Sequence, residues 1–179
     1  KAEEIPVKGP TLLIAGSCSK ITLEQIAEYQ KKGLPYYKVI PARLADGSLD
    51  AEGIWREAQI DHASEILIYS SASPGEVKKN QEMGKETIAR EIEDTMADLI
   101  TIARKNGIRK YVIAGGETSG AAMKALGFEG YHIGNSIAPG IPIMTPLDGP
   151  AYRLVLKSGN FGQRDFFFRA IQMLKGEEI

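Results

Sequence analysis

Short apolar runs alternate along this chain with segments whose apolar residues recur every three or four positions. Thr11-Leu12-Leu13-Ile14-Ala15, Tyr36-Tyr37-Lys38-Val39-Ile40, Glu65-Ile66-Leu67-Ile68-Tyr69, Tyr111-Val112-Ile113-Ala114 and Tyr152-Arg153-Leu154-Val155-Leu156 have the length and β-branched content of buried strands. Between them the period becomes helical. A helix is predicted from Thr22 to Lys32, with Gln25 three residues after Thr22 at capping-box spacing; another is opened by Asp50 and holds Ile54, Trp55, Ala58 and Ile60. A long helix carries Ile88, Ile92, Met96, Leu99 and Ala103 at i+3 and i+4, a fourth covers Ala121 to Leu126, and a last one runs from about Asp165 to Leu174. From Gly127 to Pro150 the helical period disappears. Gly and Pro there punctuate short apolar pieces, read as short strands or an extended segment crossing the sheet. The alternation predicts an α/β fold: a layered, mostly parallel or mixed sheet with helices on both faces.

Three strand-to-helix turns in this pattern are rich in Gly and Ser. They are Gly16-Ser17-Cys18-Ser19, Gly115-Gly116-Glu117-Thr118-Ser119-Gly120, and Lys157-Ser158-Gly159-Asn160-Phe161-Gly162. Such turns present bare backbone N–H groups, add hydroxyl donors, and lead into the positive end of a helix dipole, which together make an anion cradle. None matches the Walker or dinucleotide signature, and each is also compatible with plain helix capping. In an open α/β sheet, turns at the carboxyl ends of parallel strands share one edge, where ligands bind.

These turns, together with Ile137-Ala138-Pro139-Gly140-Ile141-Pro142 and Asp165-Phe166-Phe167, come in the order and spacing of one family module. From about Pro10 to about Leu174 the chain resembles the C-terminal nucleotide-binding domain of the four-carbon acid sugar kinases, which phosphorylate threonate, erythronate or 3-oxo-tetronate with ATP. The resemblance implies ATP and Mg²⁺ as cofactors. It implies nucleotide contacts at Ser17, Ser19, Gly115, Gly116, Glu117, Thr118, Ser119, Gly159, Asn160 and Gly162. The family's N-terminal half carries an Asp-Asp-x-Thr-Gly motif and the sugar-acid site, and this sequence lacks that motif. The chain is therefore expected to be half of a two-domain kinase, with residues 1–10 a linker and 11–179 the nucleotide domain. The acceptor's base is expected in the other half, and this chain alone is expected to be inactive.

At 179 residues, 43% hydrophobic and 25% charged, the chain is long enough for one sizeable core. A net charge of −1, with basic residues scattered, gives no footprint for nucleic acid or an anionic membrane. One cysteine allows no internal disulfide. Without a transmembrane or signal pattern, the reading is cytoplasmic, and homo-oligomerisation stays open. Several residues keep two readings. Ser17 and Ser19 either cap the turn or contact phosphate. Glu117 either supports the first helical turn or faces Mg²⁺, a ribose hydroxyl or a cation. Lys157 either neutralises phosphate or is the solvated end of a strand, and Asp165 reads first as a helix start. Cys18 is read as a space-filler, with a reactive thiolate as the alternative. His62 and His132 have no metal-ligand spacing and are read as surface or core residues. Two further function classes stand beside the kinase half: a stand-alone nucleotide- or anion-binding module, and a Cys18-dependent enzyme.

Overall fold

A computed structural model of the protein describes residues 5–16, 19–70, 78 and 84–176. The elements are β1 (Thr11–Ala15), α1 (Lys20–Lys31), β2 (Tyr36–Lys38), α2 (Pro41–Ala45), α3 (Ala51–Glu57), a 3-10 turn (Ile60–His62) and β3 (Glu65–Tyr69). They continue with α4 (Lys85–Lys105), β4 (Lys110–Ala114), α5 (Gly116–Leu126), β5 (Tyr131–Ala138), β6 (Ile141–Pro146), β7 (Arg153–Lys157) and α6 (Phe166–Leu174). The strands form one seven-stranded sheet in the order β2-β3-β1-β4-β7-β6-β5. The first five of that order are parallel, and β6 and β5 are antiparallel.

Strand residues alternate between two cores, as the two-residue period of a pleated strand requires. On one face Leu12, Ile14, Ile66, Ile68, Tyr111 and Ile113 pack under Ile54 of α3, Met96, Leu99 and Ala103 of α4, and Ala122 and Leu126 of α5. On the other, Leu13, Leu67, Val112 and Val155 pack under Ile26 and Tyr29 of α1 and under Phe166, Phe167, Ala170 and Ile171 of α6. The near-continuous apolar runs are thus strands buried on both sides. The expected α/β class, mixed sheet and two helical layers are present.

Local chemistry moves several boundaries. Helix α1 opens at Lys20, because Ser19, in extended conformation, is its N-cap and accepts from the Thr22 N–H. The capping box expected between Thr22 and Gln25 does not form; the Gln25 amide is spent elsewhere, as described below. Helix α5 begins at Gly116, five residues earlier than apolar spacing predicts, so Glu117, Thr118 and Ser119 lie in its first turn. Asp50 caps α3 as expected, accepting from the Gly53 N–H at 2.8 Å. Of the two readings of the segment after Gly127, the short strands are the one present: it forms the antiparallel β5–β6 hairpin, with Gly140 at φ 77° in its turn. The Ser-rich loop expected over Ser70 to Gly75 lies, beyond Ser70, outside the described residues.

Candidate functional site

Strands β1, β4 and β7 are neighbours and end in register, Ala15 opposite Ala114 and Ala114 opposite Lys157. Their three glycine turns therefore leave the carboxyl edge side by side. Backbone bonds join the first two turns to the neighbouring strand: Gly16 N–H donates to the Ala114 carbonyl at 3.0 Å, and Gly115 N–H to the Lys157 carbonyl at 2.9 Å. The chain leaves β1 toward β2 at one edge of the sheet and leaves β4 toward β5 at the other. Between β1 and β4 lies the topological switch point, where open α/β sheets bind their ligands.

Side chains of α1 hold the β7 turn in place. The Gly159 carbonyl accepts from Ser19 Oγ at 2.6 Å, Thr22 Oγ1 at 3.0 Å and Lys157 Nζ at 2.9 Å. Gln25 Nε2 donates to the carbonyls of Phe161 and Gln163 at 3.1 and 2.9 Å. Lys157 is no solvated strand end: it is 1% exposed, and its ammonium also donates to Thr22 Oγ1 at 3.0 Å and to the Ser158 carbonyl at 3.1 Å. Burial pulls its pKa down to about 8, because a charged amine loses hydration in the interior.

On the other side of the switch point, Thr118 is buried against the β1 turn, and a Cβ on Gly16 would meet its Oγ1 at 2.0 Å. Gly115 takes φ 114°, whereas Gly116 is helical with no positive φ, so the glycine demanded by backbone conformation is the first of the pair. A Cβ on Gly116 would meet nothing within 4 Å. Glu117 is exposed, and Ser119 Oγ is buried without a hydrogen-bond partner. Glu93 of α4 lies beside Glu117. Its carboxyl is held above the ordinary range first by burial, then by hydrogen bonding and like charge from Glu117.

Of the predicted contacts, Ser19, Gly115, Gly116, Glu117, Thr118, Ser119, Gly159, Asn160 and Gly162 all fall on these adjoining turns; Ser17 and Cys18 lie outside the described residues. Asp165 stands at the N-cap position of α6 but caps nothing with its side chain, and its Oδ1 is buried without a partner. His62 and His132 are exposed and far from the turns in the fold, one in the 3-10 turn and one on edge strand β5. Sequence reasoning missed Thr22 and Gln25 as anchors of the β7 turn. The signal was available: both are polar residues on the helical stripe shared with Ile26 and Tyr29, and both are fully buried. It also missed a cleft of about 100 Å³ lined by Ile137, Ala138, Pro139, Gln163, Phe166 and Arg169, which lies where the β5–β6 hairpin meets α6. Among the described residues, no group of three or more His, Cys, Asp or Glu side chains is arranged to hold a metal ion, and no helix is long and apolar enough to cross a membrane.

Comparison with known proteins shows the family and the fold. A 3-oxo-tetronate kinase of Cupriavidus necator is 40% identical over 177 residues, which is 98% of this chain and 41% of that protein. One from Actinobacillus succinogenes is 37% identical over 165 residues, 90% of this chain and 39% of that protein. The solved structure of a Haemophilus influenzae protein superposes with a TM-score of 0.87 at 34% identity, covering 94% of this chain and 41% of that one. The chain thus spans about two fifths of the length of the curated relatives it matches. Residues 12–167, which hold all three glycine turns, match the family described as nucleotide-binding C-terminal domain, and the chain belongs to that family.

Proposed function

We propose that this chain is the ATP-binding part of a cytoplasmic kinase acting on a four-carbon sugar acid. By the names of its relatives, the acceptor is 3-oxo-tetronate, and threonate and erythronate are the alternatives that the family resemblance implies. The observation that carries the reading is the alignment of three Gly/Ser turns at the switch point of a nucleotide-binding family fold. The backbone N–H groups of Gly116, Glu117 and Thr118, at the start of α5, and of Gly159, Asn160 and Gly162 cradle the phosphates, with Ser17 as a further contact, while Ser19, whose hydroxyl is committed to the Gly159 carbonyl, holds the rim in place. Asn160, exposed at the tip of the β7 turn, faces the same ligand.

Phosphoryl transfer depends on positioning and charge neutralisation more than on covalent chemistry by the protein. Mg²⁺ would neutralise charge on the transferring phosphate. It binds through one or two carboxylates and substrate phosphates, and Glu117 beside Glu93 is a donor pair of that kind. The sugar-acid hydroxyl and the base that activates it belong to the remainder of the longer protein.

The test is a calorimetric titration of the chain with Mg-ATP and with NAD. Mg-ATP should bind and NAD should bind at least tenfold more weakly, since the dinucleotide fingerprint is absent. NAD affinity equal to or above that of ATP overturns the reading.

A further inference from the structure

Lys157 is a buried cation beside the proposed site, and its surroundings say what the charge is for. Its ammonium is buried at the carboxyl end of β7. All three of its protons are used on oxygens: Thr22 Oγ1 of α1, and the carbonyls of Ser158 and Gly159. The Phe166 ring of α6 lies over it, with its centroid 5.9 Å from Nζ. Every one of these groups is neutral. Among the described residues no carboxylate pairs with Lys157; Glu117 and Asp165, the acids of the adjoining turns, form no ion pair with it, and burial alone accounts for its lowered pKa. A buried charge without a counter-ion is costly, and proteins retain one where a ligand supplies the opposite charge. The same side chain pins Gly159, whose turn is one wall of the proposed phosphate site.

We infer that Lys157 is a buried positioning residue for nucleotide binding: it locks the 158–162 turn onto the first turn of α1 and sets a positive charge beneath the site, for which the nucleotide's phosphates are the counter-anion. The inference rests on the proposed nucleotide reading and deepens it, adding a proton linkage. Phosphate bound near the turn raises the ammonium's pKa above its free value of about 8, so ATP binds the protonated form more tightly. Affinity therefore falls as pH rises through that value. The nucleotide's terminal phosphate, with its second pKa near 6, is already ionised across this window.

Stability without ligand should move the other way. The amine's pKa is lowered in the fold from 10.5 to about 8, so between those values the unfolded chain binds more protons and stability rises with pH. A purely structural lysine would show only the second effect.

The experiment is calorimetry of this chain with Mg-ATP, inorganic tripolyphosphate and adenosine at about pH 7 and about pH 9.5, on the wild type and on Lys157→Met, with urea unfolding of both at the same pH values. For the wild type, ATP and tripolyphosphate affinity should drop roughly tenfold between the two pH values while ligand-free stability rises relative to the variant. Lys157→Met should bind both anions roughly 10- to 100-fold more weakly at about pH 7, with no pH dependence, and adenosine as the wild type does. Equal ATP affinity in the two proteins, a flat wild-type profile, or an adenosine loss as large as the ATP loss overturns the inference. Should the variant not fold, the wild-type profile alone decides it. Absence of any ATP binding by folded wild type at about pH 7 instead overturns the nucleotide reading itself.

Discussion

A Cβ built on Gly16 would lie 2.0 Å from Thr118 Oγ1 and 3.2 Å from Thr118 Cβ, so the turn after β1 and the first turn of α5 meet with no space between them. Two glycines a hundred positions apart in sequence thus have opposite meanings. At Gly16 the missing side chain is a packing requirement, and Gly16→Ala should cost about 1–3 kcal/mol by urea unfolding, the usual range for overpacking. Adding Thr118→Ala should recover part of that loss, because the shorter side chain removes Oγ1; additive costs would show that the contact is not the cause. At Gly116 the open space beside the Cβ position means that Gly116→Val should fold with near-normal stability. If phosphate occupies that space, the same variant should lose at least tenfold in ATP affinity by calorimetry. Wild-type ATP binding by folded Gly116→Val would exclude the α5 N-terminus from the site.

Helix α1 touches the site through one polar stripe, Ser19, Thr22 and Gln25, while Ile26 and Tyr29 continue the stripe into the core. Tyr29 packs edge-on against Phe167 of α6, with ring centroids 6.2 Å apart, so α1 bridges the β7 turn and the last helix. Gln25 is the hinge pin of this arrangement. Gln25→Leu keeps the volume but leaves the Phe161 and Gln163 carbonyls without their donor, which should destabilise the chain by about 1–3 kcal/mol. Because Gly162, at φ 83°, places its Cβ position 3.1 Å from Gln25 Nε2, the same change should loosen the glycine turn and weaken ATP. Faster backbone amide exchange confined to the β7 turn is the direct measurement, and unchanged exchange there would refute the pin. These element-scale ties mark the limit of what the sequence could reveal. Strands buried on both faces and the i+3/i+4 stripe of α4 were readable because hydrophobic period follows burial. The three turns were readable because Gly and Ser have few other reasons to recur after strands. Boundaries at Lys20 and Gly116 were not, since Ser19 and Gly115 set them through backbone geometry that periodicity does not encode. Nor was the burial of Lys157, whose partner on α1, Thr22, is 135 residues away in the chain.

At the scale of the molecule, seven strands close around two cores, and one edge of the sheet carries every proposed nucleotide contact among the described residues. The relatives are kinases more than twice as long, which leaves room outside this chain for the second substrate's site. The division of labour that follows has a geometric basis. An acceptor hydroxyl must be held in line, roughly 3 Å from the γ-phosphorus, and without its own binding site only water competes for that position. Binding and transfer should therefore separate. Saturating Mg-ATP at about 100 times its dissociation constant should stabilise this chain by about 2.7 kcal/mol, seen as a rise in melting temperature of roughly 5–10 °C. Coupled assays with 3-oxo-tetronate, threonate and erythronate should detect no acid-sugar phosphorylation by residues 1–179, only slow ATP hydrolysis, whereas a longer form carrying the sugar-acid half should phosphorylate at least one of the three. Robust phosphorylation by the 179-residue chain would place the acceptor site and its base on this half, with Asp165, whose buried Oδ1 has no partner beside the β7 turn, as the first residue to test.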